Sequence, residues 1–535
     1  MDTQVIIVGA GIAGALVAES LGRLGVKVTI LEAGPRVERG KAVSRYYEAP
    51  IKVPESAYEN TAYAPHPRSE NPDFYYLQDG PDKFLSTYLR QVGGTTWHWL
   101  GTCVRMVPDD FRMASRFGRA VDWPVSYEAL EPWYVDAENE IGVAGDSAED
   151  LGSPRSRGFP MPAIPLTFLD QFIARALAGT PYRVRATPQG RNSQVRGDRP
   201  ACCGNNSCIP ICPIQAKYDA TVHLARAEAA GVRLMPQTIV HRIEIGADGK
   251  VSAVRFKRPD GSEGHMTASV FVLAAHAIEI PKLLLMSKGP RAPNGVANSS
   301  DQVGRNLMDH PIQLSYALAP QPVWPYRGPL STAGIESTRA GDWRASRPSY
   351  RVEIGNDGWS WPTGAPHSDA QALAAKGLRG VALQKAIFER TSRQIRLGTL
   401  TEQLPDPANR VVPDFANLDR LGLPRPRISY RIDGYTRAGL AEGRRVHQEM
   451  FDRMGATEVA HKPDREFQGA GHIMGTARMG SDARHAVVDR DLRSFDHPNL
   501  FIQGSAVFPT AGAANPTLTI AALALRSVKA IRKSL

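Results

Sequence analysis

Gln4-Val5-Ile6-Ile7-Val8-Gly9-Ala10-Gly11-Ile12-Ala13-Gly14 is the stretch on which the fold turns. An apolar run of strand length enters G-x-G-x-x-G without a break. The residues that follow place Ala13, Val17, Leu21 and Leu24 on one helical face. Gly25 ends that helix, a second apolar strand covers residues 26–31, and Glu32 follows it. Strand, glycine turn, helix and strand together make the setting in which this glycine pattern predicts a dinucleotide site. Gly9 makes the tight turn, Gly11 lets backbone approach a pyrophosphate, and Gly14 lets the helix pack on the strand. The helix N-terminus offers unpaired N–H groups and partial positive charge to phosphates. Glu32 is placed to accept both ribose hydroxyls and to repel a 2′-phosphate.

Two features favour FAD over NAD. The motif opens the chain and is followed by Glu32-Ala33-Gly34-Pro35, and no second G-x-G-x-x-G occurs to hold a nicotinamide as well. A third feature lies far downstream: Ala201-Cys202-Cys203-Gly204-Asn205-Asn206-Ser207-Cys208-Ile209-Pro210-Ile211-Cys212-Pro213, with Cys103 alone elsewhere. Buried cysteines scatter as small hydrophobes, whereas this run is a Gly-, Asn- and Pro-rich loop. A structural zinc site calls for paired knuckles separated by a longer loop, and a chain of this length needs no disulfide staples. An iron–sulfur cluster suits the spacing best. Adjacent Cys202 and Cys203 point apart, so one of them joins Cys208 and Cys212. Three thiolates suit a three-iron cluster, or a four-iron cluster with an unusual fourth ligand, and Pro213 follows as at the end of ferredoxin loops. A flavin is the natural partner, since it takes a hydride and can release electrons singly.

Four more pieces complete the pattern. Ser505 to Ile520 reads SAVFPTAGAANPTLTI; Asn515 is a good N-cap and Pro516 a good first residue for a helix running from Thr517 to about Lys533. That N-terminus could stabilise negative charge on a reduced flavin. His472 sits among glycines in Gly469-Ala470-Gly471-His472, which leaves room for a substrate. Gly93-Gly94-Thr95-Thr96-Trp97-His98-Trp99 turns into an aromatic cluster, and Gly304-Arg305-Asn306 precedes Asp309-His310-Pro311. In this order, together with Ala274 to Leu284, the pieces resemble the glucose–methanol–choline (GMC) oxidoreductase family along nearly the whole chain. The cysteine loop and Gly93–Trp99 resemble, within it, the large flavoprotein subunit of bacterial FAD-dependent sugar, polyol and gluconate dehydrogenases.

The resemblance implies catalysis by His472 and Asn515. It implies FAD contacts at Gly9, Gly11, Gly14, Glu32, Gly93, Gly94, Thr95, Thr96, Ala506, Pro516 and Thr517, with His98 near the flavin and a candidate for a covalent tether. It also implies a 3Fe-4S cluster on Cys202, Cys208 and Cys212, with Cys203 a non-ligand. Two positions depart from the pattern: Gly471 stands where Asn is frequent, and His276 where Gly or Asn is usual.

The expected fold class is α/β (α+β overall): a Rossmann-type FAD domain of residues 1–311 and 465–535, and a sheet-based substrate domain of 312–464. Residues 319–334 read as a linker or lid, and residues 147–200 as an excursion leading into the cysteine loop. The expected reaction oxidises a CH–OH group of a sugar, polyol or sugar acid. Its electrons leave through the cluster to an external cytochrome or other acceptor. An oxygen-dependent GMC oxidase is disfavoured by the cysteine loop, and a non-catalytic electron-transfer subunit by the intact His472 and Asn515. The net charge of +10 is interspersed with 54 acidic residues, and no basic run carries interleaved aromatics, which argues against nucleic acid. No apolar run reaches the roughly 18 residues that span a bilayer. The first strand begins at once, leaving no room for a signal peptide. Export as a folded complex, with a small chaperone-like subunit carrying the signal, would place the protein on the periplasmic face of the inner membrane; cytoplasmic residence is the second expectation.

Overall fold

A computed structural model of the chain describes residues 3–50, 52–463 and 466–535. The opening strand, Val5–Val8, is buried throughout because it has neighbours on both sides: Val28–Leu31 and Val270–Leu273, both parallel to it. Leu500–Ile502 and Arg233–Met235 complete a five-stranded parallel sheet. A parallel sheet is covered on both faces, which is why its strands read as unbroken apolar runs such as VIIV and VFVL. Helix Ile12–Arg23 packs against the C-terminal helix Thr517–Lys533, which in turn packs against Tyr127–Ile141. The glycine turn between strand and first helix tolerates no side chains. Gly9 has φ +104°, and a Cβ on Gly14 would lie 2.1 Å from the Gly9 carbonyl oxygen.

The first helix ends earlier than its periodicity predicts. It stops at Arg23, Leu24 is a half-exposed C-terminal cap, and the second strand starts at Val28 rather than Val26. Gly25, at φ +77°, turns the chain there.

The second sheet is antiparallel, in the order Thr457–His461, Ile312–Leu318, Gln394–Thr401, Tyr350–Gly355, Ala333–Ile335 and Val184–Ala186. Helix Gly434–Met454 lies across it. Asp433 begins this helix by accepting the Thr436 N–H at 2.7 Å, and Gly455 ends it at φ +64°. Val446, Met450 and Phe451 of the helix share a core with Val352, Ile354, Ile395 and Leu397 of the sheet, apart from the core around the parallel sheet. Five of the six strands come from residues 312–464, and the sixth, Val184–Ala186, comes from the excursion. Conversely, the hairpin Arg410–Leu418 and Pro424–Ser429 pairs with Leu77–Asp79 and packs on helix Glu279–Met286, on the nucleotide side. The boundary expected at 464–465 lies outside the described residues.

Buried polar contacts join the two units. Arg344 is fully buried between Asp110 and Glu402, 2.8 Å from each. Arg339 donates to the backbone carbonyls of Arg105 and Leu151. Among the described residues no helix is long and apolar enough to cross a membrane.

Candidate active site

A cavity of about 1350 Å³ reaches from the glycine turn to the second sheet. That exceeds the ~300–1,000 Å³ usual for a small-ligand pocket, so a long cofactor and a substrate fit together. Gly9, Gly11, Glu32, Gly94, Thr95, Thr96, His98, His472, Asn515, Pro516 and Thr517 all line it. Gly14, Gly93 and Ala506, also expected at the cofactor, are not among the lining residues. Gly14 is spent on helix–strand packing, Gly93 lies against the Trp97 indole, and Ala506 is buried behind Ser505, which takes its place in the wall.

Glu32 has a second task besides ribose. Its carboxylate accepts the N–H groups of Ala10 at 2.8 Å and Gly34 at 2.9 Å, which braces the glycine turn. Burial raises its pKa against those bonds. The Gly93 N–H donates to the Ala10 carbonyl at 3.0 Å, tying the second glycine loop to the first. His98 projects from that loop into the cavity. Burial, with Lys217 adding to it, lowers its pKa to about 3, so the ring is neutral. Its Nδ1 is buried and has no hydrogen-bond partner among the described residues. An orphaned ring nitrogen in a cavity wall is suited to a polar ligand such as a flavin.

The histidine loop is held by one carboxylate. Asp309 accepts the backbone N–H groups of His310 at 2.8 Å, His472 at 2.9 Å and Ala470 at 3.2 Å, and the Ser86 hydroxyl. A Cβ on Gly469 would come within 2.4 Å of Ser86 Oγ and 2.9 Å of Asp309 Oδ2. That glycine therefore makes room for the brace as well as lining the cavity. Gly471 has φ +71° and His276 φ +76°. Both are left-handed positions that Gly and Asn enter readily, which accounts for the residue types usual there. His276 holds the conformation while stacked on Tyr88, ring centroids 4.0 Å apart.

Asn515 is not an N-cap. The C-terminal helix begins at Thr517 with Pro516 in the cap position and no side-chain cap bond. The Asn515 amide instead reaches His472: Nδ2 lies 3.2 Å from His472 Nε2, and Oδ1 is 3.3 Å from Arg351. The other ring nitrogen, His472 Nδ1, lies 2.9 Å from His310 Nδ1. Burial is the main cause that holds His472 well below the ordinary imidazole range, with His310 and Arg351 adding to it. Burial also takes His310 to about 4. Both rings are neutral at pH 7, so His472 is free to accept a proton. Glu353 and Arg396 of the second sheet line the same cavity and offer an acceptor and donors. Nothing in their strands, read as sequence, marked them for a site.

The cysteines converge on a small separate cavity lined by Cys202, Cys203, Cys208 and Cys212. Each expected ligand receives a donor: Gly204 N–H to Cys202 Sγ at 3.4 Å, Arg191 Nη2 to Cys208 Sγ at 3.1 Å, and Lys217 N–H to Cys212 Sγ at 3.4 Å. Cys203 is exposed. Among the described residues no three thiols lie within 4.8 Å of one another. One tetrahedral zinc, with Zn–S of about 2.3 Å, would draw its sulfurs closer than that. The N–H donors on the sulfurs suit thiolates that hold a metal group.

The chain is 37% identical to the fructose dehydrogenase large subunit of Gluconobacter japonicus, over 100% of this chain and 98% of that one. It is 28% identical to 2-methyl-1,2-propanediol dehydrogenase of Mycolicibacterium austroafricanum, over 98% and 94%. The fold matches the crystal structure of pyridoxine 4-oxidase from Mesorbium loti with a TM-score of 0.67 at 18% identity, covering 99% of each chain. GMC oxidoreductase family profiles match residues 3–312 and 405–524. The chain therefore belongs to the GMC oxidoreductase family and is an FAD-dependent oxidoreductase of CH–OH groups.

Proposed function

We propose that the substrate is a sugar, polyol or sugar acid, and that its electrons leave through a 3Fe-4S cluster to an acceptor outside this chain. The observation that carries the reading is the pairing of His472 and Asn515 across 3.2 Å in the wall shared with the glycine turn. Together they present a proton acceptor and a hydrogen-bond donor, the complement of one hydroxyl group. FAD supplies a hydride acceptor when bound along Gly9 to Gly14. His472 takes the hydroxyl proton, and Asn515 holds the same oxygen so that the carbinol C–H faces the cofactor side of the cavity. Glu353 and Arg396 bind further hydroxyls. Cys202, Cys208 and Cys212 would hold the cluster, with Arg191 supplying positive charge beside it.

The likeness to a protein named as a large subunit supports partner subunits; we propose that these are a small chaperone-like subunit that carries an export signal and a cytochrome or other acceptor. Such a complex would work on the periplasmic face of the inner membrane.

Anaerobic stopped-flow bleaching of the flavin by fructose, glucose, sorbitol, gluconate and glycosides tests the substrate class; the reading fails if none of them bleaches it. His472→Ala should slow bleaching at least about 10²-fold while flavin stays bound. Cys208→Ser should lose the cluster's visible absorption while substrate still bleaches the flavin. Failure of flavin reduction in that variant would remove the cluster from its downstream place.

A further inference from the structure

Arg351 stands in strand Tyr350–Gly355, wholly buried and outside the cavity wall. Its Nε and Nη2 donate to Glu336 Oε1 at 2.9 and 2.7 Å, which neutralises the buried charge. Nη2 also approaches Thr187 Oγ1 at 3.4 Å, and Nη1 lies 3.5 Å from Glu353 and 3.3 Å from Asn515 Oδ1. Gly334 on the next strand leaves the guanidinium its space; a Cβ there would sit 2.8 Å from Nη2.

Donor and acceptor chemistry then runs in one direction. A guanidinium can only donate, so the Asn515 atom that meets it is the carbonyl oxygen. The amide nitrogen must face His472, and an amide NH₂ also only donates. His472 Nε2 is therefore an unprotonated acceptor, and the ring's single proton lies on Nδ1, shared over 2.9 Å with the lone pair of His310 Nδ1. A reversed amide would demand the proton on Nε2, and His472 could no longer take one from an alcohol.

We propose that Arg351 is a positioning residue: through Asn515 it sets the tautomer of His472, so that a substrate hydroxyl, on displacing the Asn515 N–H from Nε2, donates to that lone pair and accepts from the Asn515 amide. The proposal rests on the CH–OH chemistry above. In that step the O–H bond breaks and its proton goes to Nε2. A C=O bond forms as the C–H electron pair leaves as hydride, for which bound FAD would be the acceptor. The imidazolium keeps its Nδ1–H bond to His310.

The test uses the flavin-loaded full chain. In ¹⁵N-histidine NMR, the His472 Nε2 resonance, assigned by its loss in His472→Gln, should be pyridine-type at pH 7. A pyrrole-type Nε2 overturns the proposal, and this measurement needs no Arg351 variant to fold. Arg351→Met should retain flavin and slow the limiting rate of flavin reduction about 10–100-fold. It should lower the limiting rate more than it raises the substrate concentration at half-maximal rate, because Arg351 itself lies outside the cavity wall. Its pH–rate profile should move, and Arg351→Lys, which keeps a donor, should recover part of the rate. A wild-type rate and unchanged profile in Arg351→Met overturn the assignment. Wild-type bleaching by His472→Ala would instead sink the underlying reading.

Discussion

In the proposed reaction His472 is a ready proton acceptor because desolvation keeps its ring neutral. With its pKa below the ordinary imidazole value, it stays unprotonated as the medium is acidified past that value. The acid limb of flavin reduction should therefore lie below pH 6.5, the value of a free imidazole, and a limb at or above 6.5 in pre-steady-state rates would contradict the buried geometry. Asp309 is the second residue on which the site depends. Asp309→Ala leaves three backbone N–H groups without their acceptor, of which the buried one, that of His310, costs about 1–3 kcal/mol when unpaired and the two part-buried ones less. A lowered melting temperature and loss of substrate bleaching should appear together, with Asp309→Asn intermediate. His472 and Asn515 were legible in the chain because they stand in glycine- and proline-marked loops. Arg351 and Glu353 were not, because in a strand their alternation resembles any polar position until the sheet shows what they face. Of the two roles the sequence offered for Asn515, capping is not realised: Pro516 takes the cap position, and the Asn515 amide meets Arg351 and His472 instead.

Local elements were the readable ones. The opening strand, turn and helix declare themselves within about thirty residues because glycine geometry and apolar periodicity act at short range. The C-terminal helix was placed at Thr517 to Lys533 for the same reason, and the structure has it there. Strand Val184–Ala186 could not be read, since three half-buried residues become a strand only by pairing with Ala333–Ile335. The glycine turn yields its own prediction. Gly14→Ala drives a methyl group against the Gly9 carbonyl, a backbone contact that cannot swing aside. The protein should lose about 1–3 kcal/mol of stability, the usual cost of overpacking, and most of its flavin absorbance per chain. A yellow Gly14→Ala protein with an unchanged melting temperature would refute the packing role.

Across the whole molecule, buried neutral histidines weaken the fold in acid, against buried carboxylates such as Glu32 and Asp309 whose raised pKa values act the other way. Burial takes His66, His276 and His310 to about 4, and His98 and His447 to about 3. The unfolded chain binds these protons near pH 6.5 and the folded chain does not, so stability present above pH 6.5 is lost progressively as pH falls toward 4 and below. Melting curves at constant ionic strength from pH 7.5 to 4.5 should show a monotonic fall. Cofactor retention belongs to this scale too. Arg344 sits between Asp110 of the nucleotide unit and Glu402 of the other, with no exposed surface. Separating the units would strand a charge in a low-dielectric interior, so they do not swing apart to let a ligand out. Escape of the flavin is then expected to track the unfolding rate. Flavin fluorescence and tryptophan emission should change at the same temperature and with the same time constant, and the off-rate measured in buffer should be that of global unfolding.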